Sequence, residues 1–196
     1  RTVKSPNPAF AHIDVPLAST FLLSTKSGKE AYIEPVIDKN GYHFTVKVGR
    51  PKVADVATSG TSAGKRSGFL CLLSGTPITY AHIKEQGSAG HIGSRLMAIV
   101  AEGPRGRVYL SPIAEHETIA QVAPPKWRPT TALHGKSRVN VSNYGMDIYS
   151  DVFTPRQLTG LVTFSDLAQE VVERIERDAA AVGFPVGPKN MSMGGT

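Results

Sequence analysis

The chain has 196 residues, 40% hydrophobic and 19% charged, with 22 Lys/Arg against 16 Asp/Glu. That length can bury a core, the bias is too small for disorder, and no apolar run approaches the roughly eighteen residues of a membrane span. One cysteine, Cys71, excludes an internal disulfide framework and a cysteine-based zinc site within one chain.

Nothing at the N-terminus reads as a signal peptide, which together with the cysteine usage points to a reducing cytoplasm. The first residue is Arg rather than Met, which hints at a fragment. Charge is uneven along the chain. Residues 1–140 carry 18 Lys/Arg against 9 Asp/Glu and residues 141–196 carry 4 against 7, giving +9 and −3. A basic body suits a polyanion such as nucleic acid, with a merely solubilising surface as the alternative.

In chain order, "STFLLST" reads as a strand that can extend a hairpin into a small meander. The hairpin itself is "AYIEPVID" and "HFTVKV". Ile33 and Ile37 share a face of the first, Phe44, Val46 and Val48 a face of the second, and "KNG" is the turn. Pro35 cannot donate to a ladder, so its strand lies at an edge or carries a bulge. "GRPKVADVATSGTSAGKRSG" has no period and reads as an exposed loop. "ITYAHIKEQG" predicts a short helix stopping at Gly87, and "RLMAIVAEG" a buried strand partnered by "RVYLSP". "SPIAEHETIAQV" predicts a helix capped by Ser111 with Pro112 in its first position. "APPKWRPTTALHGKSRVNVSNYGM" reads as an irregular linker or surface wrap. A long helix then starts after Thr154, with Pro155 first and Gly183 as its stop. Leu158, Leu161, Leu167, Val171 and Ile175 form an apolar stripe along it, a pattern that normally marks core.

Motifs for catalysis are scarce. There is no Gly-x-Ser-x-Gly elbow, "EHETI" lacks the second His of a helical zinc-protease motif, and the six histidines are scattered. Cys71 in "FLCLL" reads as a buried inert thiol, and "GSAGHIG" as a flexible turn with neither the dinucleotide nor the P-loop spacing. No catalytic residue is assigned. In "EGPRGRVYL", Arg105 and Arg107 flank Gly106 in a hairpin turn that can reach a groove or phosphates, although such turns are also common on surfaces. Arg156 stands in the first turn of the long helix, where it opposes the macrodipole unless an acidic partner or a phosphate compensates.

Taken in order, "RTVKSPNPAF", "GKEAYIEPVID", "RLMAIVAEGPRGRVYLSP", "NYGM" and "DVFTPRQLTGLVTFSDL" span nearly the whole chain. This series resembles the family of adenine-specific DNA methylases that contain an internal zinc ribbon. Members with an intact ribbon carry Cys-Pro-Asn-Pro-x-Cys at one knuckle and Cys-x-x-Cys at the other, four thiolates for one tetrahedral ion. Here the corresponding positions are Ser5, Phe10, Cys71 and Ser74. Three of the four ligands are gone, so the resemblance implies a metal-free site held by apolar packing, with Phe10 and Cys71 contributing.

The resemblance also implies two motifs that this chain lacks. One is the Gly-rich strand-to-helix turn for S-adenosylmethionine. The other is the Asp/Asn-Pro-Pro-Tyr tetrapeptide that holds a flipped adenine in line with the methyl donor. The implied chain is therefore the segment between the cofactor-binding and catalytic motifs of a longer methylase. It holds no cofactor itself, and its partners are DNA and the flanking methyltransferase domain. A bacterial restriction or phage-defence setting is consistent with that class.

Charge and loop placement nominate Lys65, Arg66, Arg105, Arg107 and Arg156 as DNA contacts. The alternative is a structural insert that mediates protein contacts. The expected class is α+β, a small antiparallel sheet with degenerate zinc-ribbon-like hairpins followed by a long C-terminal helix. Its segments are a ribbon-like β region at 1–78, a mixed region at 79–150, the helix at 151–183 and a flexible tail at 184–196.

Overall fold

The computed structural model of the protein describes residues 1–39 and 41–184. It is an α+β structure of small antiparallel sheets and short helices with one long helix near the C-terminus. The chain forms two compact units, one of Arg1–Gln121 with Thr130–Val152 and one of Val122–Pro129 with the chain from Phe153 onward. No helix among the described residues is long and apolar enough to cross a membrane.

In the first unit, β1 (Thr2–Lys4) pairs antiparallel with β2 (Asp14–Pro16), placing the fully buried Val3 and Val15 opposite one another. The expected meander follows as β3 (Leu22–Ser24), β4 (Ala31–Asp38) and β5 (Gly41–Val48). Pro35 is accommodated because β3 is short. The Ile33 N–H donates to Phe21 O, so the Pro35 nitrogen two residues on faces the same side, beyond the last β3 pairing. Ile33 and Phe44 are core residues, but Ile37 and Val48, at the ends of the hairpin, are exposed. Asn40 of the expected turn lies outside the described residues, as does the tail beyond Phe184.

The segment read as an exposed loop is more ordered than its Gly and Ser content suggests. It holds α1 (Ala54–Ser59), which ends at Gly60 with φ +59°. A Cβ on Gly60 would stand 2.4 Å from Ala18 O, so glycine here permits a close backbone approach. The buried Thr61 hydroxyl then donates to Pro16 O at 2.7 Å and accepts from the Ala18 N–H at 3.1 Å.

A two-residue ladder, β6 (Phe69–Leu70) with β7 (Pro77–Ile78), leads into α2 (Tyr80–Ser88), capped by the Thr79 hydroxyl. Gly87 does not stop this helix. It lies inside it, where a Cβ would meet Tyr144 O at 1.9 Å. The turn comes after Ser88, with Gly90 at φ +75°. Val3, Val15, Phe21, Phe69, Ile78 and Ile83 belong to one core cluster, so the two small hairpins, the meander and α2 share one interior.

β8 (Ile99–Gly103) and β9 (Gly106–Leu110) form the expected hairpin, with Glu102 opposite Arg107. It is not buried: Val100, Val108 and Leu110 are all exposed, because this two-stranded ladder has no covering layer on one side. Ser111 does not cap the next helix. Its hydroxyl accepts the Val46 N–H at 2.8 Å, and α3 (Ala114–Ala120) begins only after Ile113. The segment read as an irregular wrap contains α4 (Gly135–Val141), a 3-10 turn at Ser142–Tyr144, and the buried Leu133 and Met146.

In the second unit, α5 (Pro155–Ala181) starts as expected, with a reciprocal cap between Thr154 and Gln157. Its stripe is not core. Leu158 is buried, but Leu161, Leu167, Val171 and Ile175 are each about half exposed and Phe164 is 73% exposed.

Candidate nucleic-acid interface

Two turns carry the residues at the ribbon positions, and the fold presses them together. In the first, the Asn7 side chain accepts the Ala9 N–H at 3.0 Å and starts a 3-10 turn over Pro8–Phe10. In the second, Cys71 N–H donates to Thr76 O and Gly75 N–H to Cys71 O, with Gly75 at φ +67°. The Ser5 hydroxyl donates to Cys71 Sγ at 3.5 Å, and the Asn7 amide to Thr76 Oγ1 at 3.3 Å. The Ser74 hydroxyl donates to Thr76 Oγ1 at 2.9 Å. Phe10 packs against the core cluster that includes Cys71.

The apolar contribution of Phe10 and Cys71 is thus present, but a chain of hydroxyl and amide hydrogen bonds crosses the gap as well. One thiol, two hydroxyls and a phenyl ring do not make a tetrahedral thiolate site, so the donor set does not fit zinc. Burial pushes the Cys71 thiol up. The Ser5 and Ser74 hydroxyls, with the backbone of Ser74 and Leu73, outweigh burial and hold its pKa below the ordinary value. Among the described residues no group of three or more His, Cys, Asp or Glu side chains is placed to hold a metal ion.

The nominated basic residues are all exposed and fall in three places. Lys65 and Arg66 occupy a turn closed by the Ala63 N–H to Gly68 O, and Arg66 takes the left-handed φ of +65°. Arg105 lies in the β8–β9 turn, and Arg107 follows it in β9, opposite Glu102 rather than in the turn as expected. Arg156 is in the first turn of α5, in the second unit. Among the described residues no hydrogen bond or ion pair joins the Lys65–Arg66 turn to the hairpin arginines.

A basic residue that sequence reasoning missed stands beside the hairpin. Lys29 Nζ donates to Arg105 O at 2.7 Å and lies 3.5 Å from the position of a Cβ on Gly106. Lys29, Arg105 and Arg107 line an open groove of about 280 Å³ together with Ala31, Val48, Val108 and Tyr109. Glu30 also lines it, ion-paired to Arg50 at 3.5 Å. The only signal in the sequence was the length of "STKSGKEAY", a lysine-bearing loop ahead of the strand, with nothing to link it to residue 105.

A second polar cleft, of about 370 Å³, was also invisible in the sequence because its lining comes from separate elements. Arg95 stacks 4.5 Å above the Tyr42 ring, its Nε lies 3.2 Å from Glu117 Oε1, and the Tyr42 hydroxyl donates to Asp14 O. Burial pushes the Tyr42 pKa up, with Arg95 opposing. Arg95 thereby ties α3 to β5, a structural clamp.

No family model, no curated protein and no solved structure matches this chain.

Proposed function

We propose that this chain is the DNA-binding insert of an S-adenosylmethionine-dependent adenine-specific DNA methyltransferase, and that it contributes duplex contacts rather than chemistry. The observation that carries the reading is the meeting of Ser5, Cys71 and Ser74 at one point. That is the convergence a two-knuckle ribbon requires, and it gives physical support to a resemblance drawn from separate strings. The DNA role rests on the basic body and on two exposed arginines, Arg105 in the β8–β9 turn and Arg107 in the strand that follows it. S-adenosylmethionine and the target adenine then belong to the flanking methyltransferase domain, in a cytoplasmic setting of restriction or phage defence.

The contact proposed is with phosphates. Each Lys or Arg that neutralises a phosphate releases a counterion, so affinity falls linearly in logarithm with salt. Fluorescence anisotropy of a labelled duplex, titrated with the chain at several salt concentrations, is the test. Arg105→Ala with Arg107→Ala is expected to lower the magnitude of the log–log slope by about two. Absence of binding at low salt would reject the reading for this segment. Sequencing the adjoining reading frame tests the flanking methylase motifs separately.

One observation favours a second reading, a structural insert that mediates protein contacts: the apolar face of α5 is exposed over about four turns.

A further inference from the structure

The groove between the β3–β4 turn and the β8–β9 hairpin has a composition that phosphate contact alone does not require. Its lining joins three cationic side chains, Lys29, Arg105 and Arg107, to apolar residues and an aromatic one, the half-buried Tyr109. The Lys29 ammonium is fixed in place by one hydrogen bond to Arg105 O, which leaves two of its three donors for a ligand. Of the two acids nearby, Glu30 pairs with Arg50 and Glu102 stands opposite Arg107 across the ladder, so Lys29 and Arg105 leave the lining net positive even with Arg107 balanced. Val48 at 81% exposure and Val108 add exposed apolar surface to the lining, which water leaves at a gain.

A backbone-tracking cationic rim beside an aromatic platform is the arrangement that binds unpaired nucleotides, because every base has a face that can stack whatever its sequence. A duplex offers phosphates to the cationic residues but keeps its bases in the stack, and cannot use the apolar ones. At about 280 Å³ the groove falls just below the roughly 300 Å³ at which small-ligand sites begin, room for one nucleotide rather than a longer stretch. We infer that this groove takes a single unpaired nucleotide of a DNA strand, its base against Tyr109 and Val48 and its phosphate between Lys29 and Arg107. This rests on the DNA-binding reading and adds to it a preference for single-stranded or locally opened DNA.

The test is fluorescence anisotropy of the full chain with a labelled oligothymidylate and with a duplex of equal length, at matched salt. The single strand is expected to bind more tightly. Tyr109→Leu should weaken single-strand binding about tenfold and leave duplex binding unchanged, while Tyr109→Phe keeps both. Lys29→Met should lower the salt slope by about one on either ligand. Equal affinity for the two forms, or equal loss in Tyr109→Leu, would overturn the inference while leaving the DNA-binding reading intact. Absence of binding to both would overturn the two together. Circular dichroism and thermal unfolding confirm that each variant is folded before its affinity is compared.

Discussion

Cys71 is a buried thiol, 2% exposed, in a ring of hydroxyls and backbone donors, and this changes its acid–base behaviour more than its packing. Its surroundings favour the thiolate once burial has been overcome. A folded-state pKa below the unfolded value stabilises the fold fully above the unfolded pKa of about 8.5, and this is lost as pH falls through the lowered folded value. The advantage of the parent over Cys71→Ser should therefore grow as pH rises toward and past the unfolded pKa of about 8.5. Urea unfolding of both under reducing conditions measures it. Differencing the two chains removes the contribution of every other titrating group, including Tyr42. A gap that stays constant with pH would mean that the hydroxyls only fill space.

At the scale of elements, two helical glycines make opposite predictions from one geometry. Gly87 faces the Tyr144 carbonyl, which lies 1.9 Å from the position of a Cβ, whereas Gly160 in α5 has nothing within 4 Å. Gly87→Ala must push the Ser142–Tyr144 turn off α2 and break the edge contact of Tyr80 with Tyr144, whose ring centres are 6.2 Å apart. A cost of about 3 kcal/mol is expected. Gly160→Ala only removes unfolded-state freedom and should gain about 0.5–1 kcal/mol. Denaturant unfolding reads both, and similar effects at the two sites would refute the close approach.

The same contrast explains what was legible in the sequence. The meander, α5 and its caps follow from alternation, helical spacing and the Thr154-Pro155 start, all local signals. Gly60, Thr61 and Gly87 were misread because their roles depend on Ala18, Pro16 and Tyr144, far away in the chain. Of the candidate site, the basic hairpin turn was readable from "GPRGR". Lys29 and Tyr109 were not, because only the tertiary fold brings the β3–β4 turn to the β8–β9 hairpin.

For the whole molecule, the question is how a basic body and an acidic, half-exposed helix divide the work. Leu161, Phe164, Ala168, Val171 and Ile175 are spaced three and four residues apart, the pattern of a helix seam made to meet another helix. The exposure of the large members leaves that seam a ready contact surface. Four of the five nominated phosphate contacts, Lys65, Arg66, Arg105 and Arg107, lie in the other compact unit, and the fifth, Arg156, sits at the start of α5 away from this seam. If protein contact and DNA contact are carried separately, they can be removed separately. Phe164→Glu with Ile175→Glu should shift a self-associating chain to monomer in sedimentation velocity, because each glutamate would have to be buried without a partner. The same variant should keep the parent's helical signal and its salt slope on DNA, since neither residue neutralises a phosphate. Arg105→Ala with Arg107→Ala should do the reverse, flattening the slope and leaving the sedimentation unchanged. Loss of both properties in either variant would contradict this division.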